Sequence, residues 1–108
     1  MATIRNEVPN VLSEYDIPKR LSEGWRIVVV TLEDAEKRQS YWYGQWGIKA
    51  VSSDGRYEQT LVTHRKGMEA RVFKSINGLV SFLDQYGVTM HVIPTKQSQV
   101  AWQTVDEK

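Results

Sequence analysis

The stretch WRIVVVTL, residues 25–32, decides the fold. Trp25, Ile27 and Val29 alternate with Val28, Val30 and Leu32, so both faces are apolar. Such a short, β-branched run suits a central strand covered on two sides. Downstream, the polar run EDAEKRQ, residues 33–39, reads as a solvated loop. Ser40 to Ser52 alternates again: Trp42, Trp46, Ile48 and Ala50 fall on one face, and Tyr41, Tyr43, Lys49 and Val51 on the other. Gly44 and Gly47 allow this strand to bend or bulge.

Ser53-Asp54-Gly55 is a hairpin signal, because tight primed turns need positive φ and favour Asp and Gly. Arg56 to Arg65 is then the antiparallel partner. Arg65-Lys66-Gly67 turns the chain into a last meander strand, Glu69 to Lys74. Ser75 caps a helix to Tyr86 whose Ile76, Leu79, Val80 and Leu83 fall at i, i+3, i+4 and i+7, and Gly87 closes it. Val88 to Pro94 fits one more strand. Upstream, Asn10 caps a broken helix holding Val11, Leu12 and Tyr15, interrupted by Pro18, resumed through Leu21 and ended by Gly24.

The expected fold is therefore a single α+β domain over residues 1–108. It has a mainly antiparallel twisted sheet, a packed helix in the C-terminal half and a short broken helix near the N-terminus. Leu79 and Leu83 should pack on Ile27 or Val29. Residues 1–9 and 95–108 read as tails; the second, polar apart from Val100 and Trp102, either docks or stays mobile. The order of four meander strands and a helix, over roughly residues 25–87, is similar to dimeric single-strand-binding folds of the Whirly type. That resemblance is of topology and transfers no functional residue.

Length and composition narrow the function. A chain of 108 residues has room for one core. It contains no cysteine, which excludes disulfides, thiolate nucleophiles and cysteine-based zinc sites and suits a reducing, cytoplasmic setting. The longest apolar stretch is Ile27 to Val30, and Met1 to Asn10 has no apolar run, so neither a signal peptide nor a membrane span is expected. Charge is uneven: residues 1–36 hold four Lys/Arg against seven Asp/Glu, whereas residues 37–74 hold eight against three. A basic middle section results.

Nothing in the pattern points to catalysis. His64 sits by a basic turn and His91 in a strand, neither with a Ser or carboxylate at recognisable spacing. Glu33, Asp34 and Glu36 lack the further oxygen ligands that a hard cation needs. Gly44 and Gly47 form GQWG within a strand, without the strand-to-helix setting of a phosphate cradle. The expectation is a protein that is not an enzyme and takes neither cofactor nor metal.

The constellation that remains is aromatic and basic. Tyr41 and Tyr43 stand in line with Lys49, and the neighbouring turns and strands supply Arg56, Arg65, Lys66, Arg71 and Lys74. Stacking platforms beside positive charge are what single-stranded DNA or RNA requires. The same residue types are ordinary in strands and enriched in protein interfaces, so a regulatory or assembly role through a homodimer or a heterologous partner is the alternative. The two-sided apolar pattern of residues 25–32 favours a homodimer burying sheet or edge surface.

Overall fold

A computed structural model describes residues 10–63 and 69–105. The first expectation to change is at the start. Val11–Leu12 form a two-residue strand, β1, parallel to the fourth strand, with Val11 opposite Thr60 and Leu12 opposite Leu61. The cap belongs to Ser13 instead of Asn10, its hydroxyl accepting from Tyr15 N at 3.2 Å over a 3-10 turn, Glu14–Asp16. Helix α1, Ile17–Ser22, follows with Pro18 in its first turn, where a missing N–H costs nothing. Leu12 and Ile17 are buried, so a two-residue ladder against the sheet stands where local capping signals suggested a helical turn.

Strand β2, Arg26–Arg38, is far longer than the apolar run, and the loop expected over residues 33–39 is mostly strand. It pairs antiparallel with β3, Tyr41–Val51, across a tight turn at Gln39-Ser40, where Gln39 takes φ 59°. Two register shifts break β2's period. Thr31 faces Trp46, Glu33 faces Gln45 and Glu36 faces Tyr43, so β2 carries extra residues on both sides of Glu33. Bulges of this kind bend a strand and erase alternation. Beyond them only Ala35 of residues 33–39 is buried, which is why the segment looks like a loop in sequence.

The remaining strands are β4 (Glu58–Thr63), β5 (Glu69–Ala70), β6 (Phe73–Ser75), β7 (Val88–Met90), β8 (Val100–Trp102) and β9 (Thr104–Val105). The main sheet runs β1-β4-β3-β2-β8, with β5 on β4 and β6 on β3; it is mixed, because β1–β4 is parallel. The single strand expected at Glu69 to Lys74 is two short pieces, and the one expected to Pro94 stops at Met90. The tail docks: β8 pairs with β2, and β9 pairs with β7 in a second, two-stranded sheet. The turn Arg65-Lys66-Gly67, His64, residues 1–9 and residues 106–108 lie outside the described residues.

Helix α2, Ile76–Gln85, starts where Ser75 Oγ accepts from Gly78 N at 3.1 Å, as its sequence dictates, and Gly87 with φ 91° turns the chain out. Its Leu79, Phe82 and Leu83 join Ile27, Val29, Trp46, Ile48, Ala50 and Leu61 in one buried cluster, so the helix covers one sheet face. The other face carries Val28, Val30 and Leu32 beside Gly47, Lys49 and Val51. No helix among the described residues is long and apolar enough to cross a membrane.

Leu83→Ala should cost about 2 to 5 kcal/mol in denaturant melts, the usual range for a buried leucine. A loss below about 0.5 kcal/mol, the level of a surface change, would show that α2 does not cover the sheet.

Candidate nucleic-acid interface

The distal end of the β2–β3 hairpin, past the bulges, extends beyond the core. The molecule is correspondingly elongated, with extents of 49 × 34 × 25 Å. At the tip Arg38 faces Tyr41, Lys37 faces Trp42 and Glu36 faces Tyr43. The three successive rings are exposed: Tyr41 63%, Trp42 42% and Tyr43 37%. Trp42 was expected on the core face with Trp46. The alternation holds, but the core ends before it reaches Trp42, and the side chain is left in solvent. Trp46 itself is fully buried, and its indole Nε1 donates to Pro94 O at 2.8 Å.

Gly44 makes that burial possible. A Cβ there would stand 3.0 Å from Ala35 Cα and 3.1 Å from Trp46 Cη2, closer than any ordinary contact. The tip therefore presents its rings on a base that is fixed at a glycine, a bulge and a buried tryptophan. Strand β6 adds Ser75 opposite Tyr43 and places Lys74 alongside.

Two open grooves flank the tip. One, of about 510 Å³, lies between Tyr41, Trp42 and Tyr43 and the first residues of α2, Ile76 and Asn77. The other, of about 320 Å³, holds Arg38, Tyr43 and Lys74 together with Glu33, Asp34 and Glu36. The Arg38 guanidinium sits 5.5 Å from the Tyr43 ring centroid and 3.8 Å from the Glu36 carboxylate. Asp34 is occupied structurally, accepting from Gln97 N. Lys37 and Arg38 were not singled out by sequence reasoning, because they fell in the supposed loop; their adjacency to the aromatic strand follows from the hairpin register.

The other basic residues expected at the site stand elsewhere. Lys49 is eight residues along β3 from Tyr41, up to about 27 Å away at strand rise, and is paired to Glu58 at 3.0 Å. Arg56 lies in the turn at the opposite end of β3, where its N–H donates to Asp54 Oδ1 at 3.0 Å. That bond and the Ser52 hydroxyl hold the Asp54 carboxyl below its ordinary range. Arg71 is committed to structure: Nη1 donates to Glu14 Oε1 at 3.1 Å, and the guanidinium packs 4.8 Å from the Phe73 centroid and 4.9 Å from that of Phe82. Arg65 and Lys66 lie outside the described residues. Tyr41, Tyr43 and Lys74 are thus brought together, and Lys49, Arg56 and Arg71 are not.

No group of three or more His, Asp or Glu side chains that could hold a metal occurs among the described residues. His91 Nε2 is buried with no hydrogen-bond partner among them.

Glu14 also accepts from the Tyr86 hydroxyl at 3.0 Å, so one carboxylate ties the N-terminal segment to Arg71 and to the end of α2. Burial, then the bond and the charge of Glu14, push Tyr86 up to about 12 from 10.0. A raised phenol pKa contributes stability that is fully present below pH 10 and lost as pH rises through 12. Tyr86→Phe should therefore cost about 0.5 to 1.5 kcal/mol at neutral pH. The gap to the parent should close between pH 10 and 12, and an alkaline absorbance titration of the variant should lack the highest phenol transition. A gap that does not change with pH would exclude this linkage. No family model, curated protein or solved structure matches this chain.

Proposed function

We propose that this protein binds single-stranded DNA or RNA, without catalysis, through the tip of the β2–β3 hairpin. One observation carries the reading: three successive aromatic side chains, Tyr41, Trp42 and Tyr43, stand exposed on an arm beyond the core, flanked by Lys37, Arg38 and Lys74. Bases offer a π-face to such rings whatever their sequence, and the cations meet the phosphates. Glu33 and Glu36 share the second groove, and Glu36 lies beside Arg38, so the field at the tip is weak. Stacking is then the larger part of the affinity.

A second reading has its own observation. The sheet face away from α2 exposes Leu32, Val100 and Trp102, next to the buried Val28, which favours a protein contact and, in its simplest form, a homodimer. The two readings use different surfaces and do not exclude each other.

Fluorescence anisotropy with labelled single-stranded DNA and RNA oligonucleotides tests the first. Tyr41→Ala, Trp42→Ala and Tyr43→Ala should each weaken binding by about 1 to 3 kcal/mol at every salt concentration. The log-log salt slope should be shallow, about −1.4 to −2.1, as expected for two or three phosphate contacts on a single strand. Reversing Lys37 and Lys74 to Glu should flatten it further. Absence of binding at low salt, or a slope that these reversals leave unchanged with the aromatic variants binding normally, would overturn the reading.

A further inference from the structure

One edge of the main sheet is β8, which has β2 on one side and, over Val100–Trp102, no described strand on the other; β7 joins that outer side at Thr104. Its hydrogen-bond phase is set by two backbone bonds: Thr31 N donates to Gln99 O at 2.9 Å, and Gln103 N to Ile27 O at 2.9 Å. Antiparallel ladders alternate, so Ala101, opposite Val29, is the residue between them that turns its N–H and C=O toward β2. The N–H and C=O of Val100 and Trp102 therefore point to the open side. Their side chains are apolar and exposed, 56% and 44%. Of the devices that guard an edge, β8 has shortness, at three residues, but neither proline nor charge: Ser98 to Thr104 contains no proline and no charged residue.

We propose that two copies of this chain pair through β8, antiparallel about a two-fold axis at Ala101, and continue the sheet across the dimer. The inference gives a surface to the homodimer reading and is independent of nucleic-acid binding. A second copy is the occupant because the strand is complementary to itself. With Ala101 on the axis, Val100 lies opposite Trp102 of the other copy, twice. Each of those pairs is in the phase that exchanges two backbone bonds, so all four outward N–H and C=O pairs of the two strands are satisfied at once. Both cross-strand side-chain pairs are then aliphatic on aromatic, a favourable combination on one face of a sheet. Charge does not oppose the approach, because the seven residues from Ser98 to Thr104 are neutral in both copies. Arg26, whose guanidinium lies 4.6 Å from the Trp102 centroid, holds that ring on the face where Val100 of the other copy would meet it.

The test exploits the absence of cysteine from the chain. Val100→Cys and Trp102→Cys each carry one thiol. In the proposed register position 100 of one copy faces position 102 of the other within the Cα separation that a disulfide spans, whereas 100 to 100 and 102 to 102 lie about 8 Å apart, beyond it. Mixing the two variants under mild oxidation should give the mixed disulfide dimer, identified by mass, at least about tenfold faster than either variant alone links to itself. Light scattering over a concentration series reads the dimer directly. Val100→Lys, at an exposed position, should keep the far-ultraviolet spectrum and melting temperature while weakening association about tenfold or more, as edge lysines do. A parent chain that stays monomeric throughout the series overturns the homodimer and this surface together. A dimer that forms without preferential 100–102 linkage, or that Val100→Lys leaves intact, overturns this surface alone and puts the contact elsewhere.

Discussion

The burial of Trp46 is the constraint on which the remaining architecture depends. An indole this large fits under the sheet only where the opposing strand gives way. It does so at the β2 bulges around Glu33, with Ala35 as the small inward residue and Gly44 leaving the space that a Cβ would fill. The indole N–H must also be satisfied once it leaves water, and Pro94 O satisfies it. That bond fixes the segment after β7 beneath the hairpin, where Thr95 O accepts from Ala35 N. The chain is thereby aimed so that Val100–Trp102 arrives beside β2 as a strand. The tail then joins the sheet through its own backbone bonds to β2.

The same bulges divide β2 into two parts with different surroundings. Before them, residues 26–31 are the central strand of a sheet covered on one face, flanked by β3 and β8 and lying over α2. After them, residues 33–38 form one side of an arm that is largely solvent-facing, and the aromatic residues opposite are presented instead of packed. Four tryptophans in so short a chain would ordinarily be taken as core. Here Trp46 is core, Trp25 is packed at its margin, and Trp42 and Trp102 are surface rings on two different parts of the sheet. Buried and exposed rings occupy neighbouring positions of one strand, and the place where the core ends separates them.

Charge follows the same division. A count along the chain gives a basic middle section, yet Arg71 is spent on Glu14 and two phenylalanine rings and Lys49 on Glu58. Glu14 sits 57 positions from Arg71 and 72 from Tyr86, so this tie across the N-terminal turn, the β5–β6 connection and the end of α2 has no local signature. Linear charge density overstates the cations free for a ligand, because ion pairs form in space.

The sequence by itself determined what local chemistry and period control. The alternation in residues 25–32 and 40–52, the Ser-Asp-Gly turn and the Ser75 cap with its apolar stripe each act over a few residues, and the α+β architecture and helix α2 follow from them. It also determined which aromatics stand next to each other on β3. Tertiary structure alone decided the rest. Residues 33–38 are strand because β3 offers a partner, not because their own pattern demands it, and bulges remove the period that would reveal them. Val11–Leu12 is a strand because β4 is beside it. Which of Tyr41, Lys49, Arg56, Arg71 and Lys74 share a surface depends on strand length and on where the core stops, quantities set by pairing and packing between distant parts of the chain.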